Sequence, residues 1–370
     1  MFSSVKKERQ SGIELLKIIA IFLIVVSHVS QSLFVDGMST IGVNDYYIDL
    51  SLPTLSLLRF LLSLSRYGGT LGNTLFIGCT CWFLWGQKKW KFKKLIQMYL
   101  NTYIISMIFL LITSLAFGYS NLDKTMVFHS FLPVFFKNNW YITFYLMFCL
   151  IYPLINLILE KIGRIPHLVI AIALFTYSFI FAFSFDQIGS DKLVTWIAIY
   201  LVISYFRVYR PNLLENKKLS ILMLISSFVV GIGLVVMHNI IGYYKPESNY
   251  DVLRFNLNHN PFTFIFAFSA INIFSKFKLS NKFINYISSL TLFVYLTHEN
   301  VFFRQYFRLW IWEKIYVAFG FSQIFVWMVL YSIVLFVASV LVSFVYDKTI
   351  NKLLSFIIEK ISSKFSKKNA

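Results

Sequence analysis

Charged residues are scarce in this sequence, and acidic residues are the scarcest of them. Only 14% of its 370 residues are charged, with 16 Asp or Glu against 34 Lys or Arg. At the same time 58% are hydrophobic and the mean hydropathy is +0.69. A soluble domain with this balance would lack the polar surface that water requires, so the composition excludes an ordinary soluble fold.

Cysteine and the common catalytic signatures are also nearly absent. The three cysteines, Cys79, Cys81 and Cys149, lie in apolar stretches, which is typical of buried thiols. Cys79 and Cys81 have no cluster of metal-binding residues beside them, so we expect no metal site. The sequence contains no Gly-x-x-x-x-Gly-Lys loop, no His-Glu-x-x-His and no Gly-x-Ser-x-Gly, which are signatures of phosphate-binding loops, zinc proteases and serine hydrolases.

Long apolar runs are what the sequence does contain. Runs of about 18 or more apolar residues are typical of membrane-spanning helices, whereas the strands of a membrane barrel alternate in polarity. The sequence therefore predicts an all-α, multi-spanning integral membrane protein with about ten transmembrane helices. We place the spans at roughly residues 12–34, 67–86, 95–117, 139–158, 167–185, 191–207, 219–239, 260–275, 284–303 and 317–346.

Basic residues cluster in the short segments between alternate spans. The net charge of +18 comes largely from clusters at 6–9, 88–94, 207–218, 276–282 and 360–368. Because such loops face the cytoplasm, we expect cytoplasmic N- and C-termini in a plasma membrane. Attraction to the anionic lipid bilayer explains the charge without a nucleic-acid partner. Residues 1–348 then form one membrane domain, and residues 349–370 a basic amphipathic tail on the inner leaflet.

The first span carries two ionisable groups on one face. Lys17 and His28 are eleven residues apart, which is close to three helical turns and roughly 16 Å along the axis. Glu14 precedes Lys17 by three residues and lies on the same stripe. Lys17 alone could reach the inner headgroups, and His28 alone could make a core hydrogen bond. Together they favour a functional site, with His28 suited to general-base chemistry.

A second polar stripe follows the ninth span. It consists of residues at helical spacing, namely Ser288, Thr291, Tyr295 and His298. His298 lies at a depth similar to that of His28, so we expect the two histidines to meet in the outer half of the bundle. Glu299 would pair with a cation or mark the exit from the membrane. Packing of polar groups between helices is the alternative explanation.

Two further groups of residues are candidate binding sites. Lys91, Lys93 and Lys94, in the basic loop around Trp90, could hold phosphate groups, although an orienting loop needs no ligand. Trp140 and Tyr141 open the fourth span on the outer side. They fit an interfacial aromatic belt, with a sugar-stacking platform as the functional alternative.

These residues resemble the bacterial membrane acyltransferase 3 family over nearly the whole chain. The first-span motif, the opening of the fourth span and the ninth span carry the resemblance through Glu14-Leu15-Leu16-Lys17, Ala20, His28, Trp140-Tyr141, Tyr145, Pro153, Asn156, Ser289-Leu290 and Tyr295-Leu296-Thr297-His298. Two family features are missing: Phe76-Ile77-Gly78-Cys79-Thr80-Cys81 lacks the usual Ser-Gly, and Lys94 and Gln97 replace a pair of arginines.

The resemblance implies O-acylation, usually O-acetylation, of a surface glycan with cytoplasmic acetyl-CoA or another acyl-CoA as donor. His28 matches the family's essential histidine, with Lys17 and Glu14 as its catalytic partners. We expect Lys91, Lys93 and Lys94 to bind the coenzyme, and Trp140, Tyr141, Tyr295, His298 and Glu299 to bind the acceptor. The acceptor would be an exopolysaccharide or its lipid-linked repeat, and other glycan-assembly proteins are expected partners. A polysaccharide exporter or flippase and a non-catalytic membrane scaffold are the alternatives.

Overall fold

Every regular element that the structure describes is a helix. It is a computed structural model that describes residues 10–32, 57–136, 139–184, 191–244, 260–319 and 323–368. The α-helices are α1 Ser11–Gln31, α2 Leu57–Leu84, α3 Phe92–Phe117, α4 Lys124–Ser130, α5 Trp140–Lys161, α6 Arg164–Phe175, α7 Ala182–Ser184, α8 Lys192–Tyr209, α9 Pro211–Glu215, α10 Lys217–Tyr244, α11 Pro261–Phe274, α12 Lys282–His298, α13 Arg308–Phe319, α14 Ile324–Tyr346 and α15 Lys352–Lys368. Tyr119–Asn121 form a 3₁₀ turn, and Thr176–Phe181, Phe303–Phe307 and Asp347–Asn351 are π-helical links.

The prediction of an all-α multi-pass membrane protein is confirmed. Among the described residues, seven helical segments are long and apolar enough to cross a membrane. The other three predicted spans fall on α2, α11 and α12. The helix of the second span is longer than predicted, because it begins at Leu57, ten residues before the predicted start of the span. The side of the membrane on which each terminus lies stays a prediction.

Polar side chains at the helix starts explain several of these boundaries. Asp123, Asp191, Asn260 and Asn281 each accept a hydrogen bond from a backbone N–H in the first turn of the helix that follows. Such caps satisfy donors that have no partner inside the helix. Pro261 follows its cap directly, where a missing N–H costs nothing. The sequence therefore sets the start of α11 and of α12 locally.

Helix α1 lies at the centre of the bundle, where it contacts α2, α11, α12 and α14. Its close approach to two of these neighbours depends on glycine. A Cβ atom on Gly72 of α2 would lie 2.6 Å from the carbonyl oxygen of Ala20, and one on Gly12 would lie 2.1 Å from the carbonyl oxygen of Phe274. Small residues let membrane helices approach this closely. The site on α1 is therefore enclosed by helices and not by lipid.

We expect Gly72→Leu to disrupt the packing of α1 on α2 and to lower the yield of folded protein. Overpacking a close contact costs about 1–3 kcal/mol or more, and the opposing backbone of Ala20 cannot rotate away. Gly233→Leu is the matched control, because a Cβ atom on Gly233 meets nothing within 4 Å. Size-exclusion profiles and thermal unfolding in detergent measure the difference. Equal losses for both variants would contradict this account.

Among the described residues, the segments that carry the basic clusters at 88–94, 207–218 and 276–282 lie at one end of the bundle, which we call the basic end. There Ser11 Oγ donates a hydrogen bond to Asn285 Oδ1 at 2.8 Å, and Lys276 donates to the carbonyl oxygen of Leu214. Gln97 Nε2 donates to Asn351 Oδ1 at 2.8 Å. The helix runs without a break from Ile324 to Ser363, so it passes through the predicted boundary at residue 348. The division into a membrane domain and a tail stays a prediction.

Candidate functional site

The first and ninth predicted spans bring their histidines together at the end of the bundle opposite the basic end. His28, in the last turn of α1, places its Nδ1 atom 3.1 Å from Nε2 of His298, which is the last residue of α12. His28 Nδ1 is also 3.0 Å from Oε2 of Glu299. All three side chains are buried. Residues 270 positions apart in the sequence thus form one cluster, as their predicted depths suggested.

The hydrogen bonds fix which nitrogen of each ring carries the proton. His298 Nδ1 lies 2.6 Å from the carbonyl oxygen of Val294, which can only accept, so this nitrogen is protonated. In the neutral ring His298 Nε2 is then an acceptor. His28 Nδ1 faces this acceptor and the Glu299 carboxylate, so it must be the donor. The lone pair of His28 is therefore on Nε2, and no described residue hydrogen-bonds that atom.

Two arginines hold the Glu299 carboxylate in place. Arg308 donates to Glu299 Oε2 at 2.9 Å, and Arg304 donates to Oε1 at 3.0 Å. Arg308 is only 1% exposed and also donates to the carbonyl oxygens of His28 and His298. One guanidinium group therefore ties the end of α1 to the end of α12. Glu299 stays charged and oriented because both of its oxygens are bound by cations.

The same three residues have the spacing of a metal site. One ligand atom each from His28, His298 and Glu299 lies within 4.8 Å of the others. Electrostatics oppose this use, because Arg304 and Arg308 already neutralise the carboxylate that would attract a cation. A divalent ion would also face two guanidinium groups at close range. The arrangement fits proton transfer better than metal binding.

A second ionic group lies toward the basic end of α1. Lys17 Nζ is 3.3 Å from Glu14 Oε2, as the three-residue spacing predicts. Ser288 of α12 donates to the same carboxylate oxygen at 2.5 Å. Lys17 keeps 18% of its side chain exposed, and its ammonium group lies 5.9 Å from the centre of the Phe76 ring. Lys17 and His28 share a face of α1, but their Cα atoms are about 16 Å apart along the axis.

Aromatic side chains fill the space beside the histidines. Tyr295 contacts His298, with ring centres 5.9 Å apart, and Tyr141, with ring centres 5.4 Å apart. Trp196 of α8 also packs on Tyr141. The indole N–H of Trp196 is buried without a hydrogen-bond partner. The hydroxyl of Tyr141 instead contacts Thr80, and that of Tyr295 contacts the backbone of Tyr141. Buried polar groups normally have partners, so the Trp196 N–H can donate to a polar group that enters the cluster.

Trp140, whose ring centre is 5.8 Å from that of Tyr141, lies at the edge of this cluster, and the three predicted phosphate-binding lysines lie away from it. Trp140 is half-buried, and Lys192 places its ammonium group 3.9 Å from the centre of the Trp140 ring, which occupies one face of the proposed stacking platform. Lys91, Lys93 and Lys94 are exposed at the start of α3, at the basic end. Partial desolvation and the nearby positive charge of Lys94 lower the pKa of Lys91. A bound anion would relieve this repulsion.

Sequence reasoning missed Arg304 and Arg308. We expected a loop after the ninth span, but Phe303–Phe307 and α13 continue as helix, and both arginines lie there. A signal was present, because the two are four residues apart and therefore share a helix face. What the sequence could not show is that this face turns inward onto Glu299.

The fold and the site together define the class of protein. It is an all-helical, multi-pass membrane protein whose central helix ends in a buried cluster of histidine, carboxylate and arginine side chains. The family model described as an acyltransferase domain matches residues 10–348, which include every residue of that cluster. The chain therefore belongs to the acyltransferase 3 family, and the recognition made from the sequence is confirmed. No curated protein and no solved structure is significantly similar to the chain.

Proposed function

We propose that this acyltransferase moves an acetyl group from cytoplasmic acetyl-CoA to a hydroxyl group of a cell-surface glycan, in the plasma membrane. The observation that carries the proposal is the buried hydrogen-bonded chain of His298, His28 and Glu299. In this chain His28 Nε2 carries the lone pair and can act as a base, because no described residue forms a hydrogen bond with it. Family membership supports acyl transfer in general. The donor, the acyl group and the acceptor are proposed from the resemblance of the sequence to this family.

In the proposed reaction His28 Nε2 removes the proton from the acceptor hydroxyl. The hydroxyl oxygen attacks the thioester carbonyl carbon, a C–O bond forms and the C–S bond breaks. The coenzyme leaves as a thiolate, which takes the proton from His28. Glu299 stabilises the imidazolium ion that forms in between, because its carboxylate is 3.0 Å from Nδ1. This pairing of a base with an orienting carboxylate contributes to the rate in other acyl-transfer enzymes.

Lys17 has a different task, because it lies too far from His28 to contact the same reacting carbonyl. The separation of about 16 Å along α1 places it nearer the basic end. We assign it to negative charge on the donor, with Glu14 and Ser288 fixing its position. Lys91, Lys93 and Lys94 would bind phosphate groups of the coenzyme at the entrance. Tyr141 and Tyr295 would then contact the part of the substrates that lies between the two ends, and the Trp196 N–H would donate a hydrogen bond to it.

We expect Lys17→Met to raise the KM for the acyl donor about tenfold and to change kcat less, because it removes a charge–charge contact made in the ground state. Lys17→Arg should restore most of the affinity. Initial rates with a purified, reconstituted protein measure both constants. Lys192→Met is the control, since Lys192 lies at the start of α8 beside Trp140. A fall in kcat alone for Lys17→Met would contradict the assignment to donor binding.

Analysis of the cell-surface glycan tests the proposed function. The gene is deleted, and the deletion strain is complemented with the wild-type chain or with His28→Gln. We expect esters on the glycan only with the wild-type chain, while the amount of exported polymer stays constant in all strains. Immunoblotting of membranes controls for insertion of the variant.

The other outcomes separate the alternatives. Loss of surface polymer, with normal ester content in the intracellular pool, would identify an exporter or flippase and overturn the proposal. If the glycan is unchanged although the His28→Gln variant is stably inserted, the remaining explanation is that the protein is a scaffold for other glycan-assembly proteins. Transfer of an acyl group to a lipid or protein would keep the mechanism and replace the acceptor.

A further inference from the structure

A cavity of about 540 Å³ lies between α6, α8, α10 and α11, with α9 at one end. Its lining is almost wholly apolar and includes Ala171, Phe175 and Phe268. It includes none of the residues around His28 or Lys17. Ile172 and Leu213, two residues of its lining, are 55% and 44% exposed, so the cavity opens sideways where a bilayer would meet the protein. An occupant can therefore enter from the membrane.

One polar group in the cavity wall has no partner. Ser269 of α11 is 1% exposed, and its hydroxyl is buried without a hydrogen bond. Its neighbour in the lining, Asn272, is satisfied through Leu214 and Ser220. A buried hydroxyl without a partner is costly unless an occupant supplies an acceptor. The ester carbonyl of a glycerolipid is such an acceptor, whereas a polyprenyl chain has none.

Three cationic side chains lie near the part of the cavity that is closest to the basic end of the bundle. Arg164 precedes Leu168 and Ala171 on the lining face of α6. Lys276 lies in the turn that follows α11, four residues after Asn272. Arg164 Nε donates to the hydroxyl of Tyr205 at 3.3 Å, and Arg210 approaches the same oxygen. Tyr205 and Leu214, which accept from these cations, both line the cavity.

These cations have no acidic counterpart in the described part of the chain. Arg164, Arg210 and Lys276 make no ion pair there, and Glu215, which is close to Arg210 in sequence, does not neutralise them. The cavity lining on α11 extends from Phe264 to Asn272, about 12 Å along the axis, compared with about 15 Å for half of a bilayer's hydrocarbon core. An apolar cavity of this length, with cations at the level of the lipid headgroups, therefore has the dimensions to hold one lipid molecule from a single leaflet.

We propose that this cavity binds one anionic phospholipid from the leaflet at the basic end. One acyl chain fills the cavity, an ester carbonyl accepts the hydrogen bond of Ser269, and Arg164, Arg210 and Lys276 bind the phosphate. The site is separate from the acyl-transfer cluster, so it does not depend on the proposed function.

Native mass spectrometry of the full chain tests this proposal. The protein is purified in a mild detergent and supplied with equal amounts of phosphatidylglycerol and phosphatidylcholine. We expect one phospholipid to remain bound, with phosphatidylglycerol preferred about a hundredfold, since each of the three cations contributes about 1 kcal/mol toward anionic lipid, a factor of about five. The R164Q/R210Q/K276Q variant should lose this preference. Ser269→Leu, which fills the cavity, should reduce retention of both lipids.

A second triple variant controls for total charge. K278Q/K282Q/K360Q removes three positive charges from residues that do not line the cavity, and its lipid preference should match that of the wild type. Equal loss of preference in both triple variants would overturn the proposal, because it would show only general attraction to the basic end. Retention of no lipid by the wild type, or of a polyprenyl lipid or an acyl-CoA, would also overturn it. If Ser269→Leu fails to fold, Ser269→Ala is measured in its place. It removes the hydroxyl without adding bulk, so it should weaken retention only slightly.

Discussion

His28→Gln should lower the rate of acyl transfer by about 10²–10⁴-fold, which is the contribution expected of a general base. Glutamine can still donate a hydrogen bond to Glu299 from its amide, so the fold should survive. The variant loses the basic Nε2 atom, which is the ring nitrogen of His28 that forms no hydrogen bond with a described residue. The measurement is a single-turnover rate with acetyl-CoA and the acceptor glycan.

His167→Gln provides the matched control. His167 is also buried, and its Nε2 lies 3.0 Å from the carbonyl oxygen of Leu201, a bond that a glutamine amide can replace. We expect this variant to transfer acyl groups at nearly the wild-type rate. A His28→Gln protein that is folded and keeps its rate within about threefold would remove His28 from the reaction.

Arg308→Met should destabilise the protein more than any other single change that we predict. It leaves the exposed Arg304 as the one cationic partner of the buried Glu299 carboxylate among the described residues, and it removes the donor from two buried carbonyl oxygens. Breaking a buried ion pair from one side costs about 3–5 kcal/mol. Thermal unfolding followed with a thiol-reactive dye is suited to this chain, because Cys79, Cys81 and Cys149 are all free and buried.

Two further variants make this prediction specific. Arg304→Met should cost about 1 kcal/mol or less, because the Arg304 side chain is 40% exposed and makes a single bond to Glu299. Glu299→Met combined with Arg308→Met should regain much of the stability, since replacing both partners of a buried pair is often neutral. The double variant should remain inactive, because His28 loses its orienting carboxylate. Recovery of activity together with stability would show that Glu299 and Arg308 only stabilise the fold.

Most of the fold could be predicted from local sequence features. Apolar runs located the helices, and the helical period placed Lys17, Glu14 and His28 on one face of α1. The largest errors came where local composition is mixed. Helix α2 starts at Leu57 although it includes Arg66, and after a break at Glu299 and Asn300 the chain becomes helical again through Arg304 and Arg308. Charged residues indicate a loop only when a helix would expose them to lipid. The sequence of one span does not show which helices surround it.

The sequence by itself determined that this chain crosses a membrane many times and that a cation and an imidazole share one face of its first helix, because hydropathy and helical period are local properties. Only the tertiary structure decided which nitrogen of His28 is the base. That choice depends on Val294, His298, Glu299 and Arg308, which lie more than 260 residues further along the chain. Contacts of this kind form where helix ends meet in the packed bundle, and no periodicity within one helix encodes them.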